Sequence, residues 1–396
     1  MRTFLILLLL PLVVLSFAGC KGRGAKKSVK DYNKPLAPGQ LALREIDSRQ
    51  LPDVTLTPAT RADLSKGIAN SLAYLAKPSA DRSFPMADIS KEQVVKSLHA
   101  LDELLKSANS DAQFNAELKK RFRALMSVGC DDQGTVLFTG YFTPTFSASL
   151  TPDATYRFPL YKRPKDLVAS DKNGVADDTI ALQRMPDGST RPYPDRKAID
   201  SSGMLRGTEL VYLADPFECY LVQVQGSAKL RLTTGENMNV GYAGTNGHPY
   251  RGIGQDLVRA GKIPAEKLSY FTIRGYFRDH PEDVATYTGS NPRYVFFDRY
   301  TTEALGSLGQ PVIANVSIAT DKSIFPRAAP TIVSTSVADP RNQNMAYTAL
   351  RLDQDTGGGI RAAGHADLYM GEGDENERRA GAQYSEGKLY YLILRE

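Results

Sequence analysis

The spacing of apolar residues predicts a helical amino-terminal portion. Apolar residues recur three or four positions apart over residues 64–75, 94–105 and 112–126, which is the period of one buried helix face. Ser90 and Gln93 precede the second run and predict a capping box there. These three helices carry no chemical motif, so we expect them to pack on a larger structure and support it.

From residue 135 onward the pattern is typical of β-strands. Runs rich in Val, Tyr, Phe and Thr alternate with Gly, Pro, Asn and Asp turns. CYLVQVQGSAKLRL, residues 219–232, predicts a strand that is interrupted at Gly226, and GKLYYLILRE, residues 387–396, predicts a core strand. A helical signal returns near residues 253–259. The expected fold class is therefore mainly β with a helical amino-terminal portion.

The first residues predict an export leader. Residues 4–18 are largely apolar, too short to span a bilayer comfortably but typical of the apolar region of a signal peptide. Ala18-Gly19-Cys20 is similar to the lipobox of bacterial lipoproteins, so we expect a signal peptide over residues 1–19 and lipidation of Cys20. An ordinary secretory signal with an incidental cysteine is the alternative. In an exported protein Cys130 and Cys219 could form a disulfide, and the sequence leaves their pairing open.

Charge adds a prediction about the surface that the chain meets. The net charge of +5 is too small to indicate nucleic-acid binding, but it favours an anionic polymer or lipid surface. Five Lys or Arg residues stand between positions 21 and 30, before any acid. They predict a flexible tether over residues 20–55 that lies on anionic headgroups. Lys21 directly after Cys20 favours the outer membrane, on its periplasmic side, if the host is Gram-negative.

The motifs of several enzyme classes are missing from the sequence. The four histidines are scattered without the spacing of metal ligands, and no G-x-S-x-G elbow, P-loop or dinucleotide fingerprint occurs. We therefore predict no metal and no cofactor. Few histidines also disfavour a Ser/His or Cys/His nucleophile, so carboxylates are the natural acid and base candidates.

The strongest candidate site is DQDTGGGIRAAGHADLYMGEG, residues 353–373. Asp355 stands where an apolar run enters a glycine turn, and Asp367 lies between Ala366 and Leu368 in a predicted strand. Burial among apolar residues should raise the pKa of a carboxyl, as a general acid near neutral pH requires. The alternative is that both aspartates are structural and cap turns.

A second group of residues is suited to binding sugars. Aromatic and hydroxyl groups surround a rigid Gly–Pro turn in FTGYFTPTFSAS, two amides share one face of the predicted strand at residues 219–225, and GYAGTNGHPYRGIGQDLV, residues 241–258, predicts a glycine-rich loop. Core packing of the aromatics and backbone hydrogen bonds of the amides are the alternatives. The candidates for substrate binding are Tyr141, Thr143, Gln223, Gln225, Ser227 and Tyr242.

Four motifs in order resemble the membrane-bound lytic murein transglycosylase A family. They are GYFTP, YLVQVQGSAKLRL with VGYAGTNGHPYRGIG, NPRYVFF, and a carboxy-terminal set from SIATDKSIFP to AGAQYSEGKLYYLI. The resemblance covers roughly residues 135–394. This chain differs at Arg327-Ala328, where the family usually has Leu-Gly, and at Gly359, where it usually has Ala.

The resemblance implies a fold and a division into domains. The expected fold is a double-psi β-barrel domain with an inserted second β domain and a saccharide groove between them. We expect residues 56–134 to form a helical amino-terminal part of the barrel domain and residues 135–300 to form the inserted β domain. Residues 301–396 would form the carboxy-terminal barrel with a three-aspartate domain.

The resemblance also implies an activity and its residues. The family cleaves the MurNAc–GlcNAc β-1,4 bond of peptidoglycan without water and leaves 1,6-anhydro-MurNAc ends. Its three acids match Asp321, Asp355 and Asp367, and the acid matching Asp367 is the essential one. We expect Asp355 to orient Asp367, and Asp321 to be structural within the substrate-binding site. The implied partners are peptidoglycan glycan strands, a membrane reached through the lipid anchor and, as a further possibility, cell-wall synthesis complexes.

Three other functions compete with this prediction. Asp355-Thr356-Gly357 is the nucleating triplet of aspartic proteases, but those enzymes need two aspartates that share a proton and the triplet occurs once. A peptidoglycan-binding envelope lipoprotein without catalysis and a murein glycoside hydrolase are the other two. Digestion of purified sacculi distinguishes these functions, because the masses of the released products show whether their ends are anhydro or reducing.

Overall fold

The computed structural model describes residues 30–172, 175–300, 305–338 and 344–396. The predicted signal peptide, Cys20 and most of the basic segment after it lie outside these ranges. The helices are α1 (Pro58–Leu75), α2 (Lys91–Ser107), α3 (Asp111–Arg121), α4 (Arg196–Ser202), α5 (Pro216–Gln225), α6 (Gly254–Arg259), α7 (Tyr270–Asp279), α8 (Val284–Thr288) and α9 (Asp374–Ala382).

Within the described residues, the strands form three sheets. Their bounds are β1 (Leu43–Ile46), β2 (Phe122–Ser127), β3 (Val136–Thr143), β4 (Thr145–Ser149), β5 (Phe158–Tyr161), β6 (Leu167–Lys172), β7 (Val175–Arg184), β8 (Thr190–Pro192), β9 (Glu209–Leu213), β10 (Ser227–Leu232), β11 (Asn237–Thr245), β12 (Val295–Tyr300), β13 (Ser317–Ala319), β14 (Pro330–Ala338), β15 (Asn344–Asp355), β16 (His365–Glu372) and β17 (Tyr384–Leu394). The predicted mainly β class with a helical amino-terminal portion is confirmed.

The first sheet closes on itself. Its pairings run β14–β15–β13–β16–β3–β17, and β17 returns to β14, which makes a ring of six strands. β1 and β2 continue the sheet beyond β17. Because each of the six strands pairs with a neighbour on both sides over part of its length, the side chains in the paired part have a rigid frame.

A second sheet comes from the chain between β3 and β13, here called the insert (residues 144–316). Its order is β12-β11-β10-β4-β9-β5, and β6, β7 and β8 form a separate three-stranded sheet. A hydrophobic core of its own, which includes Phe217, Val222 and Leu230, lies within the insert. The insert is thus packed independently of the core around the ring.

α2 begins at its predicted capping box, whereas α1 begins at Pro58, six residues before its apolar run. Ser90 and Gln93 form the predicted capping box of α2, and Thr57 caps α1 with Pro58 in its first turn. α3 ends at Arg121, because the next residues pair with β1 and β17 as β2. The helix predicted to reach residue 126 is therefore too long, since strand pairing outweighs the helix propensity of this segment.

The predicted strand at residues 219–225 is wrong. This segment is helix α5, in which Asp215 caps the first turn, Pro216 stands at the start, and Gly226 ends the helix with a φ of 78°. These are the usual start and stop signals of a helix. Phe217, Tyr220 and Leu221 are buried at helical spacing, so the capped helix prevails over the apparent alternation.

Two predicted domain boundaries also change. Residues 43–46 pair with β2 as β1, so the predicted tether over residues 20–55 is too long. β3 pairs with β16 and β17, so the first strand of the segment predicted as the inserted domain, residues 135–300, also takes part in the ring.

Two glycine substitutions test how closely α1 packs on the ring. A Cβ on Gly67 of α1 would lie 2.8 Å from Leu352 Cδ1 and 2.8 Å from Val316 Cγ1, and both neighbours are buried. Overpacking of this kind costs about 1–3 kcal/mol, more than the gain of about 1 kcal/mol from better helix propensity. We expect Gly67→Ala to lower the free energy of unfolding in urea denaturation.

The control is the same change on another helix. A Cβ on Gly275 of α7 would meet no atom within 4 Å. Gly275→Ala should therefore raise the free energy of unfolding by about 0.5–1 kcal/mol, since only the backbone entropy changes. Equal effects of the two substitutions would contradict the close packing of α1.

Candidate active site

Asp367 lies in the middle of the ring. β16 carries it between β3 and β13, where its Cα partners are Thr139 in a parallel pair and Ala319 in an antiparallel pair. Its neighbours Ala366 and Leu368 are fully buried, while Asp367 itself remains partly exposed. β16 thus holds one partly exposed carboxyl between two buried apolar residues.

The surroundings of Asp367 favour its protonated form. Burial raises the pKa of Asp367 to about 7, and the charge of Asp355 acts in the same direction. The Thr139 hydroxyl opposes this by donating a hydrogen bond to Asp367 Oδ1 at 2.9 Å. A carboxyl that keeps its proton to near neutral pH can act as a general acid.

Asp355 is held very differently at the end of β15. Its Oδ1 accepts hydrogen bonds from the backbone N–H groups of Ser307 and Thr356, each at 2.8 Å, and its Oδ2 accepts one from the Tyr141 hydroxyl at 3.0 Å. Burial raises the pKa of this carboxyl, and these three donors oppose the rise. A carboxylate with three donors is stabilised in its charged form and fixed in position.

Tyr141 lies between the two carboxyls and a second tyrosine. Its ring centroid is 5.0 Å from that of Tyr369, and burial together with Asp355 and Asp367 raises the pKa of Tyr141 well above its ordinary value. Tyr141 therefore stays protonated as a donor. Thr143 is buried, with its hydroxyl 2.8 Å from that of Tyr369, so it supports this aromatic pair.

Asp321 shapes the loop that joins Asp355 to Asp367. Its Oδ1 accepts from the Ser323 N–H and hydroxyl, and its Oδ2 accepts from the backbone N–H of Ala362 at 2.8 Å. Ala362 has a φ of 62°, a left-handed conformation that costs an alanine free energy. The carboxylate offsets that cost and fixes the loop, which is a structural role.

Two glycines of the same loop let the insert approach closely. A Cβ on Gly358 would lie 3.0 Å from Arg293 Nε, and a Cβ on Gly359 would lie 3.2 Å from the Tyr250 ring. Arg293 and Tyr250 both belong to the insert. The glycines beside the carboxylates therefore allow a close approach of the insert to the ring, which a flexible acidic surface loop would not show.

A buried ion pair lies behind Asp355 and was missed in the sequence. Lys322 and Asp353 form a salt bridge in which both side chains are almost completely buried. Asp353 Oδ2 also accepts from the hydroxyls of Thr320 at 2.7 Å and Tyr391 at 2.6 Å. Burial lowers the pKa of Lys322. Because Thr320 donates its N–H to the Asp355 carbonyl, this network holds the end of β15.

The amides predicted on one strand face have different partners on helix α5. Gln223 accepts a hydrogen bond from Arg196 Nη2 at 2.5 Å inside the insert. Gln225 Oε1 accepts from the backbone N–H of Phe142 at 3.3 Å and so joins α5 to β3. Ser227, partly buried, begins β10. The two amides therefore do not share a strand face, and for Gln225 the alternative of a backbone hydrogen bond is observed.

Tyr242 also differs from its prediction. It lies within β11, not in a glycine-rich loop. Its ring packs against the hydrophobic core of the insert, and its carbonyl accepts a hydrogen bond from the Tyr300 hydroxyl at 3.0 Å. These contacts indicate that Tyr242 has a structural role in the insert.

Two residues beside Asp367 were not predicted as site residues. Thr139 Oγ1 lies 2.9 Å from Asp367 Oδ1 and 2.9 Å from His365 Nε2. Period-two spacing could have indicated both, because Thr139 is two positions from Tyr141 and His365 is two positions from Asp367. Residues at that spacing share one face of a strand.

The remaining predictions concern cysteines, metals and the membrane. Cys130 and Cys219 are both buried, and they do not form a disulfide with each other. Among the described residues, no group of three or more His, Cys, Asp or Glu side chains is arranged to hold a metal ion. Within the same part of the chain, every helix is too short or too polar to cross a membrane.

Comparisons with known proteins connect this site to a family. Residues 137–298 match the MltA specific insert domain, and residues 316–393 match the 3D domain. The chain is 30% identical over 269 residues to membrane-bound lytic murein transglycosylase A of Escherichia coli K12, covering 67% of each protein. It is also 30% identical over 271 residues to the Vibrio cholerae protein of the same name, again covering 67% of each.

Solved structures share the fold. A membrane-bound lytic murein transglycosylase from Agrobacterium tumefaciens superposes with a TM-score of 0.72 at 24% identity, covering 90% of this chain and 98% of that one. E. coli MltA with bound chitohexaose superposes with a TM-score of 0.69 at 23% identity, covering 94% and 98%. On these matches, the chain belongs to the membrane-bound lytic murein transglycosylase A family.

Proposed function

We propose that this protein is a peptidoglycan lytic transglycosylase that cleaves the MurNAc–GlcNAc β-1,4 bond and leaves 1,6-anhydro-MurNAc ends. One observation carries this proposal: Asp367 lies between the buried residues Ala366 and Leu368 and beside an anchored Asp355, where burial raises its pKa to about 7. The relatives named as lytic murein transglycosylases support the reaction. The relative that binds chitohexaose supports a saccharide chain as the ligand.

Asp367 performs both proton transfers of this reaction. Its carboxyl gives a proton to the glycosidic oxygen as that C–O bond breaks and positive charge develops at the anomeric carbon. The resulting carboxylate then removes the proton from the 6-hydroxyl of the same sugar, whose oxygen bonds to the anomeric carbon. One carboxyl is sufficient because the nucleophile is part of the substrate, and Asp367 ends with the proton it began with.

Asp355 and Asp321 support this acid. The negative charge of Asp355 disfavours the loss of the proton from Asp367, and the Tyr141 hydroxyl bonded to Asp355 Oδ2 fixes the geometry between them. Asp321 keeps the connecting loop in its left-handed turn through Ala362. Asp355 thus orients Asp367. Asp321 supports the substrate site by fixing the loop that connects Asp355 to Asp367.

The sugar-binding surface lies where the insert meets the ring. Tyr141 on β3, Gln225 at the end of α5 and Ser227 at the start of β10 are the predicted binding residues with contacts or positions nearest to this junction. We assign them to the walls of a saccharide groove. Thr143, Gln223 and Tyr242 support those walls through the buried contacts described above.

The finer fold and the location follow from the same family. The ring of six strands, interrupted by the insert, supports a double-psi β-barrel with an inserted second β domain. The leader and Cys20 support a lipid anchor in the outer membrane on the periplasmic side, where peptidoglycan lies. Contacts with cell-wall synthesis complexes are a further expectation.

Digestion of purified sacculi tests the function. The wild-type enzyme should release muropeptides that are one water lighter than reducing-end products, as read by mass spectrometry. Asp367→Asn removes the proton donor, so the rate of release should fall by roughly 10²–10⁴-fold. Asp298→Asn, which changes an exposed carboxylate of β12, should leave the rate unchanged.

Other products would identify another function. Reducing ends would indicate a hydrolase, and binding to sacculi without any soluble product would indicate a non-catalytic lipoprotein. Wild-type release by Asp367→Asn would exclude this residue as the acid. If Asp355→Ala lowers the rate of release more than Asp367→Asn does, then Asp355 is the acid and Asp367 is the orienting residue.

The pH dependence gives a second prediction. Since the active form carries its proton on Asp367, kcat/KM should be full below the raised pKa of about 7 and fall tenfold per pH unit above it. Asp355→Asn removes a charge that raises the pKa of Asp367, so this fall should move to lower pH. If kcat/KM of Asp355→Asn decreases at the same pH as in the wild type, or at higher pH, Asp355 does not act on Asp367 through its charge.

A further inference from the structure

A line of hydrogen-bonding groups ends on Asp367. Asn33 Oδ1 lies 3.4 Å from His365 Nδ1, His365 Nε2 lies 2.9 Å from Thr139 Oγ1, and Thr139 Oγ1 lies 2.9 Å from Asp367 Oδ1. These groups come from three parts of the chain that are far apart in sequence: the segment with Asn33, strand β3 and strand β16. The parallel pairing of β16 with β3 brings Thr139 to His365 and Asp367.

The directions of these hydrogen bonds are linked, because each group has a limited number of protons to donate. A threonine hydroxyl has one proton to donate, and Asp367 Oδ1 accepts it. In that arrangement the Thr139 oxygen accepts from His365, which carries its proton on Nε2; the tautomer with the proton on Nδ1 would instead donate to Asn33 Oδ1 and accept from Thr139. Burial lowers the pKa of His365 to about 4, against an opposing hydrogen bond with the Gly359 backbone, so at neutral pH the ring has one N–H to give.

We propose that Thr139 and His365 are positioning residues that reserve Asp367 Oδ1 as an acceptor and so place the transferable proton on Oδ2. This inference rests on the proposed function, because it concerns the acid of that reaction. A carboxyl whose proton can sit on either oxygen presents it to the substrate only part of the time. A donor held on one oxygen removes that ambiguity, and the same donor stabilises the carboxylate that forms after the first proton transfer.

Other groups also act on these residues. Asp355 at the end of β15 and Tyr141 on β3 are the titratable groups that interact with Asp367, while β13 contributes Ala319 beside it. The ring of His365 faces Asn33 and the Gly359 backbone. The effect of Asp355 on the pKa of Asp367 is upward and that of Thr139 is downward, so variants at the two positions shift the pH profile in opposite directions.

Variants of Thr139 test the first link. Thr139→Val keeps the shape and removes the hydroxyl, so kcat on sacculi should fall on the order of tenfold or more, as for loss of a hydrogen bond to a charged group. The fall of kcat/KM at high pH should move to higher pH, and KM should change little. Thr139→Ser restores the hydroxyl and should restore both the rate and the pH profile.

Variants of His365 test the second link. The amide nitrogen of glutamine can occupy the position of Nε2, and that of asparagine the position of Nδ1. His365→Gln should therefore keep the wild-type pH profile, whereas His365→Asn should shift it in the same direction as Thr139→Val. This comparison remains decisive if Thr139→Val does not fold.

The outcomes that overturn the inference are distinct from failure of the function. Thr139→Val with an unchanged kcat and pH profile, Thr139→Ser as impaired as Thr139→Val, or His365→Gln and His365→Asn with equal profiles would each overturn it. Failure of the proposed function is recognised separately, by reducing ends in the wild-type digest. The positioning role of Thr139 and His365 is judged from the differences in kcat and pH profile between the variants. These differences can be measured for either cleavage reaction.

Discussion

The parallel pairing of β16 with β3 is the constraint on which the site depends. It places Asp367 beside Thr139, a residue 228 positions away in the chain, and Tyr369 beside Tyr141 in the same register. Because side chains alternate across a strand, a slip by one residue would turn each of these groups to the other face. The ring closure and the pairing of β16 with β13 on its other side prevent that slip, so the acid and its donors stay together.

The two neighbouring carboxyls, Asp355 and Asp367, differ in the number of hydrogen-bond donors around them. Both are buried enough for their pKa values to rise, but Asp355 accepts from two backbone N–H groups and a tyrosine, whereas Thr139 is the side chain that donates to Asp367. Burial disfavours charge on both groups, and donors restore it only where they are numerous. A difference in local donors therefore distinguishes an anchored carboxyl from one suited to carry a proton, although the two residues are close in sequence.

The sequence predicted the elements that have local signals and missed those that depend on distant contacts. α2 and β17 followed from capping and apolar periodicity, and Asp367 was found from its apolar neighbours. α5 was mistaken for a strand because alternation was given more weight than its caps, and the end of α3 was misplaced because β2 owes its conformation to pairing with β17. The roles of Thr139 and His365 required the register between β3 and β16, which no local pattern contains.

The glycines beside the acids show how the insert completes the site. Gly358 and Gly359 lie where Arg293 and Tyr250 of the insert would meet a Cβ, so the loop between Asp355 and Asp367 is shaped on one side by the ring and on the other by the insert. Gly359 is also a position at which this chain departs from the family's usual alanine. With the Tyr250 ring 3.2 Å from the position of that methyl group, an alanine would require the ring to move by a few tenths of an ångström. This divergence from the motif therefore accompanies a close contact between the loop and Tyr250 of the insert.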